Sequence, residues 1–357
     1  MTSLEQFGWN DTLAKSWQSL QAPGLKPGRV VADFGTSLKV AMPDFITAEL
    51  SGKLAHYSNK QLVPKVGDWV AIHITDNNAV VEFILPRSGE IARKAAGNPT
   101  VKQVIAAHVD IAFVLLALDN DFSIDRLQRF LYQLSINNVS PVIVLNKADK
   151  TDNLASYVDQ LDEFKLPILT TIANQGKGID ALIEMIEPTK TAILLGSSGV
   201  GKSTLTNHIL GREAQKTQEI RASDDTGKHT TVHRELFVLP NGGLLIDTPG
   251  IRELQLWGTE EELAENFDDI AALALQCEFS SCKHGTDKGC AIQAALASGE
   301  LSTSHYAAYL TMKNELVSLK GKTIKKAKAD SAKAKKRSVF KQQKNLAREI
   351  RHDQYDN

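Results

Sequence analysis

Four short runs in this 357-residue sequence combine residue types and spacings that can do chemistry. The first is Gly196-Ser197-Ser198-Gly199-Val200-Gly201-Lys202-Ser203-Thr204. It follows the pattern G-x-x-x-x-G-K-S/T, a loop whose backbone N–H groups cradle phosphates. The apolar run 191–195 before it suits a buried strand, and 204–210 after it has helical spacing that stops at Gly211. A strand, a glycine-rich turn and a helix start place donors and the positive end of a helix around an anion. Lys202 is expected to reach the β- and γ-phosphates, and the Ser203 hydroxyl to sit on Mg²⁺.

The second run, Asn146-Lys147-Ala148-Asp149, follows the apolar stretch 141–145. Guanine offers N1–H and an exocyclic amine, and one carboxylate can accept from both, whereas adenine presents neither donor there. Asp149 is expected to be that carboxylate, with Asn146 at the guanine edge and the Lys147 stem along the base. The third run, Asp247-Thr248-Pro249-Gly250, follows the apolar 244–246. Asp247 is expected to hold Mg²⁺ through water, and the Gly250 N–H to meet the γ-phosphate. Between the first and third runs lies the polar stretch 224–233, where Thr230 or Thr231 is the expected switch threonine. A plain surface loop is the other reading of that stretch. Ile251 stands where a glutamine could orient water, so hydrolysis needs another group or a partner that completes the site; His229 and His233 are the nearest candidates, and a solvated loop histidine is the other reading.

The order of these runs carries information. In an ordinary GTPase the phosphate loop comes first and N-K-x-D comes late. Here N-K-A-D lies fifty residues before Gly196 and D-T-P-G fifty-one after it. The domain therefore reads as circularly permuted, with the cut just after the second switch. Loss of the γ-phosphate is then expected to pull on whatever follows Gly250.

The fourth run is Cys277-x4-Cys282-x-His284-x5-Cys290, which holds all three cysteines of the chain. Three thiols and an imidazole saturate a tetrahedral Zn²⁺, so one structural zinc is expected. Beyond it, residues 320–351 carry 13 Lys and Arg against two acids, a segment charge of +11 that leaves −12 for the rest of the chain. That tail reads as a phosphate-contacting segment for RNA, or else as a solvated extension.

These sites need scaffolds. Residues 1–26 look like a helical lead-in with Trp9 and Trp17 free to pack. Five short strands follow, at 28–33, 37–40, 45–50, 68–74 and 79–85, separated by turn residues. They suit a small closed barrel of OB type, which binds RNA or merely packs on its neighbour. From about residue 100, strands at 111–118, 141–145 and 166–171 alternate with helices at 123–137, 154–164 and 179–186, the pattern of a doubly wound α/β sheet. Helices are expected at 260–276, 291–296 and 306–319 around the cysteines. The chain is thus expected to be multidomain: lead-in and barrel at 1–95, a permuted P-loop GTPase domain at 96–257, a small helical zinc domain at 258–319 and a basic tail at 320–357. The longest apolar run is 111–118, too short to span a bilayer, and the first residues lack a signal-peptide pattern, so a cytoplasmic location without membrane contact is expected.

Together the barrel, N-K-A-D before G-S-S-G-V-G-K-S-T, the run 227–235, D-T-P-G-I and C-x4-C-x-H-x5-C resemble one family, the ribosome small-subunit-dependent GTPases A (RsgA, also called YjeQ). The resemblance covers about 28–319. It implies a late assembly factor that binds the small ribosomal subunit and its rRNA; a monomer is expected, and Ile251 predicts slow turnover alone. The subunit stimulates such proteins to turn GTP into GDP and phosphate. It also implies that His229 helps hydrolysis beside Lys202 and Gly250. The usual Ser/Thr-Ser run at the guanine is replaced near Ile172-Ala173-Asn174, and the basic tail has no role in the resemblance. Two other readings compete: an RNA-binding adaptor whose nucleotide turnover is too slow to matter, motivated by Ile251, and a P-loop kinase or ATPase.

Overall fold

The computed structural model describes residues 3–56, 63–76, 78–95, 98–211, 234–247 and 256–322. Two short helices lead in: α1 (Ser3–Gln6) and α2 (Asp11–Leu20). Asn10 caps α2 by accepting from Leu13 N at 3.0 Å, satisfying one of the donors a helix start leaves open. Trp9 packs edge-on against Trp69, with ring centres 4.9 Å apart, and so fixes the lead-in to the barrel.

The barrel strands are β1 (Lys26–Asp33), β2 (Leu38–Ala41), β3 (Phe45–Leu50), β4 (Trp69–Ile74) and β5 (Ala79–Ile84), with α3 (Gly52–His56) after β3. They run in the order β1-β2-β3-β5-β4, and β4 returns to β1, closing the ring. The β3–β5 pair is parallel and the others antiparallel. Val30, Val40, Ala48, Val70, Ile72 and Val81 fill the interior. Gly28 packs tightly against this interior, where an added Cβ would stand 2.6 Å from Val40 Cγ1. Alternation fails in β1, which is buried on both sides: Val30 faces the barrel, while Val31 joins a second core shared with the following domain.

A hairpin not expected from the sequence comes next, β6 (Glu90–Ala95) with β7 (Asn98–Ala107). Ile91, Ile105 and Ala106 sink into the shared core. Irregular register at Ile91/Ala92 breaks the alternation that would have announced these strands.

The α/β domain follows. Its strands are β8 (Ile111–Ala117), β9 (Ser140–Asn146), β10 (Ile168–Thr171), β11 (Thr191–Gly196), β12 (Arg234–Val238) and β13 (Leu244–Asp247). Its helices are α4 (Ile124–Ser135), α5 (Leu154–Leu161), α6 (Ile179–Glu184) and α7 (Lys202–Ile209). The sheet order is β10-β9-β8-β11-β13-β12, parallel except for β12, with apolar cores on both faces. β12 also pairs with β1 through Ala32–Glu235 and Asp33–Arg234, so one sheet runs from this domain into the barrel.

The C-terminal unit holds α8 (Glu260–Asn266), α9 (Asp268–Ala274), α10 (Ala291–Ser298) and α11 (303–322). Thr259 and Glu262 form a capping box at the start of α8. The single helix expected over 260–276 is broken: Phe267 leaves helical geometry and buries its ring, which turns Ile270 of α9 into the same core. Tyr132 of α4 belongs to that core, so the unit is docked on the α/β domain. Among the described residues, no helix is long and apolar enough to cross a membrane.

Candidate functional site

Strand order decides where the chemistry lies. In an open parallel sheet, ligands bind at the carboxyl ends of the strands, where the connections diverge to the two sides. Here the divergence falls between β8 and β11. β8 is aligned with both neighbours, Ala117 beside Asn146 of β9 and Leu115 beside Gly196 of β11. The phosphate loop and N-K-A-D therefore leave the sheet at the same edge, one strand apart.

Gly196 ends β11 and Lys202 opens α7. Gly201, the residue before α7, has φ +104°, and an added Cβ would stand 2.2 Å from Asn146 Nδ2. Glycine is thus required there by both conformation and space. Val200 is buried and anchors the loop to the core beneath α7, while Ser197, Ser198 and Gly199 form its outer turn. Lys202 Nζ donates to Gly196 O at 2.7 Å and to Ser197 O at 2.5 Å, so the ammonium lies within the loop that it is expected to serve. Ser203 and Thr204 follow in the first turn of α7.

A cavity of about 550 Å³ opens beside the loop. Asn146, Lys147, Asp149, Ala173, Asn174, Gly199, Gly201 and Thr204 line it, together with Asp119 and Asn120. Asp149 sits in the 3₁₀ turn Ala148–Lys150, at the mouth of β9. Lys147 holds a left-handed backbone (φ +62°), which throws its side chain back across the cavity wall to Asp119 Oδ2 at 2.7 Å. That hydrogen bond holds the Asp119 carboxyl below its ordinary range.

Asn146 does more than the sequence suggested. Its side chain is buried, donating from Nδ2 to Val200 O at 2.7 Å. Its Oδ1 accepts from Thr171 Oγ1 at 3.0 Å and from Ala173 N at 3.1 Å. It ties the phosphate loop, the end of β10 and the turn after β10 into one frame. The Ala173 N–H is thereby directed to Asn146.

A cavity of about 600 Å³ lies at the opposite, amino ends of β8 and β11, among Glu90, Asp110, Ile111 and Lys190. It touches none of the four chemical runs. The smaller cavity is the candidate site, because it holds two motifs at the carboxyl edge.

Asp247 ends β13, next to β11 in the sheet. His229, Thr230, Thr231 and His233 of the first switch, Gly250 and Ile251 of the second, and the basic tail beyond residue 322 lie outside the described residues.

The cysteine run folds into one cluster. The ligand atoms of Cys277, Cys282, His284 and Cys290 all lie within 4.8 Å of one another. Four ligands about 2.0–2.3 Å from a tetrahedral ion stand roughly 3.3–3.8 Å apart. His284 Nδ1 is 3.5 Å from Cys277 Sγ and 3.7 Å from Cys290 Sγ, which fits such a centre. A left-handed backbone at His284 (φ +58°) turns its ring toward the sulfurs, and its N–H donates to Cys282 Sγ at 3.4 Å. The donor set is closed and suits structural Zn²⁺.

A phosphate-loop motif and an N-K-A-D turn at one sheet edge, with N-K-A-D first and Asp247 last along the chain, define a circularly permuted GTPase. An OB-type barrel precedes it, and a helical unit with a zinc-compatible cluster follows.

Comparison with known proteins narrows the class. The sequence model of the family described as RsgA GTPase matches residues 84–257. A protein of Opitutus terrae named small ribosomal subunit biogenesis GTPase RsgA is 37% identical over 328 residues, 88% of this chain and 89% of its own. A protein of the same name from Syntrophotalea carbinolica is 38% identical over 88% of this chain and 90% of its own. The crystal structure of YjeQ from Thermotoga maritima superposes with a TM-score of 0.60 at 26% identity, covering 82% of this chain and 99% of that one. A structure titled YloQ, a circularly permuted GTPase, shares the fold at TM-score 0.56 and 24% identity, covering 84% of this chain and 97% of that one. The chain belongs to the RsgA GTPase family.

Proposed function

We propose that this chain hydrolyses GTP during late assembly of the small ribosomal subunit and that the subunit stimulates the reaction. The observation that carries the proposal is the meeting of the phosphate loop and N-K-A-D at one cavity, in permuted order. The names of the relatives support the ribosomal setting.

In this reading Asp149 accepts from guanine, and the backbone of Gly196–Thr204 with Lys202 holds the phosphates. Ser203 and Asp247, with Thr230 or Thr231, would hold Mg²⁺, which supplies neutralising charge at the β- and γ-phosphates. Gly250 senses the γ-phosphate, and His229 assists water attack in place of the glutamine that Ile251 replaces. Cys277, Cys282, His284 and Cys290 would hold one Zn²⁺, which staples the small C-terminal unit. The second switch runs into that unit, so phosphate loss is transmitted to it. The basic tail binds rRNA. The protein works as a monomer in the cytoplasm.

The test is GTP hydrolysis measured with and without small subunits, beside sedimentation with subunits in GDP and in a non-hydrolysable GTP analogue. Stimulated turnover, with subunit binding that depends on the nucleotide, is expected. Subunit binding without stimulation would favour an RNA-binding adaptor. Equal affinity for ATP and GTP, unaltered by Asp149→Asn, would remove the guanine assignment.

A further inference from the structure

The acidic turn Asp119-Asn120-Asp121, between β8 and α4, belongs to none of the GTPase motifs. Sheet order nevertheless forces it between two of them. β8 is flanked by β9 and β11, so the turn leaving β8 lies between N-K-A-D and the phosphate loop. Its two carboxylates serve different neighbours. Asp119 Oδ2 accepts from Lys147 Nζ at 2.7 Å. Asp121 Oδ2 accepts from the Ser197 hydroxyl of the phosphate loop and pairs with Arg126 Nη1 at 2.9 Å. The two acids are also locked to each other, Asp121 N donating to Asp119 Oδ1 at 2.9 Å, and Phe122 N closes the turn on Asp119 O at 3.1 Å.

The choice of atoms fits a positioning task. Ser197 is the first variable residue of the loop, and phosphate binding by such a loop uses its backbone N–H, not its side chain. Holding the hydroxyl therefore fixes those N–H groups without competing for the ligand. Anchoring the Lys147 ammonium lays its apolar stem along the cavity wall, where a base would pack. A carboxylate beside a triphosphate is unfavourable unless it is neutralised, and each of these has its own cation, Lys147 or Arg126.

We propose that Asp119 and Asp121 are positioning residues for the nucleotide. Asp121 presets the entrance of the phosphate loop through Ser197, and Asp119 presets the base platform through Lys147. Preset geometry removes an ordering cost from binding, so both residues raise affinity without touching the ligand. The proposal rests on the guanine-nucleotide reading of the cavity.

The test is a double-mutant cycle on the full chain, read as the Kd of a fluorescent GTP analogue. Asp121→Ala and Ser197→Ala should each raise Kd about fivefold, and the double variant should be no weaker than either. Additive losses, or an unchanged Kd, would overturn the role of Asp121. Asp121→Asn keeps an acceptor for Ser197 and should recover most of the affinity, while Asp121→Leu, of similar size but with no acceptor, carries the cycle should Asp121→Ala fail to fold. Ser123→Ala removes the α4 cap, a contact to Arg126 N at 3.3 Å, without touching Ser197. It should lower Tm and leave Kd alone; if it raises Kd equally, the Asp121 effect is merely structural. Asp119→Ala should weaken GTP and inosine triphosphate by the same factor, since the stem packs on a ring common to both, and it should add nothing to Lys147→Ala. A wild-type chain that binds no GTP analogue would instead refute the guanine reading itself.

Discussion

Replacing Asn146 by alanine separates two jobs that this residue could do. As a strut, its side chain satisfies three groups: Val200 O, Thr171 Oγ1 and Ala173 N. The asparagine is 1% exposed, so water does not take over easily. Leaving a buried polar group without its partner costs about 1–3 kcal/mol. Three such losses, reduced by relaxation of the two loops, give roughly 3–5 kcal/mol. That is a large share of the 5–15 kcal/mol typical of a domain. Asn146→Asp keeps the two acceptor bonds but sets an oxygen against Val200 O, so the phosphate-loop contact is lost while the β10 contacts stay. The measurement is urea unfolding together with the Kd for GDP. Alanine should lower stability by several kcal/mol and weaken GDP, with aspartate intermediate in stability. A large loss of affinity with a stability change under about 1 kcal/mol would refute the strut and put the amide at the base edge.

Three further outcomes follow from the geometry. Burial, then the nearby Arg29 and Arg87, push His108 down to about 3. The folded value lies below the unfolded one near 6.5, so its contribution is complete above pH 6.5 and is lost as pH falls toward 3, by up to about 1.4 kcal/mol per pH unit. His108→Asn, which suits its left-handed backbone (φ +52°), should flatten the acid limb of stability in urea melts between pH 6 and 4; an unchanged slope would contradict this. Gly201→Ala should weaken GTP more than tenfold while circular dichroism stays native, because its Cβ would meet Asn146 and its φ is +104°. Cys282→Ser should lower bound zinc from one per chain toward none, read by elemental analysis, and should melt the C-terminal unit before the rest; full zinc occupancy in the variant would remove Cys282 from the ligand set.

The phosphate loop, N-K-A-D and the cysteine run were legible because each chemistry needs particular residues within a few positions of one another. The barrel was legible for a similar reason, since turn residues punctuate its strands. What stayed hidden depends on long-range order. Asp121 and Ser197 are 76 positions apart, and nothing local to D-N-D says that β8 will lie beside β11. Arg29 is another case. An arginine within a strand reads as surface, yet it is 1% exposed. Its guanidinium donates to Gly67 O at 3.1 Å, His108 O at 3.2 Å and Thr191 Oγ1 at 2.9 Å, and also to Phe7 O. It thereby fastens the lead-in and the barrel to the first residue of β11. Burial lowers its pKa against the pull of the nearby Asp110 and Asp68 carboxylates, leaving it at about 10, so it stays charged at neutral pH.

The permuted order suggested that the C-terminal unit follows the second switch by chain continuity alone. The structure adds a packed face. In the first turn of α4, Arg126 pairs with Asp121 beside the phosphate loop, and the following turns meet the C-terminal unit. Gln128 Nε2 lies 2.9 Å from His305 Nδ1, and Arg129 pairs with Glu315 at 2.7 Å. Gln133 Nε2 donates to Trp257 O at 2.5 Å and the Tyr132 hydroxyl to Thr259 O at 3.3 Å. Gly258 lets the chain pass so close that an added Cβ would stand 2.2 Å from the Tyr132 oxygen. Ion pairs near the surface, such as the half-buried Arg129–Glu315, contribute only about 0.2–1 kcal/mol. The buried Tyr132 ring, sharing a core with Leu256, Leu263 and Phe267, therefore carries most of the attachment. A chain that merely continued into a loosely tethered unit would swing when the switch moved. Here residues 257–259 are packed against α4, and α4 reaches the phosphate loop through the Arg126–Asp121 pair and Ser197.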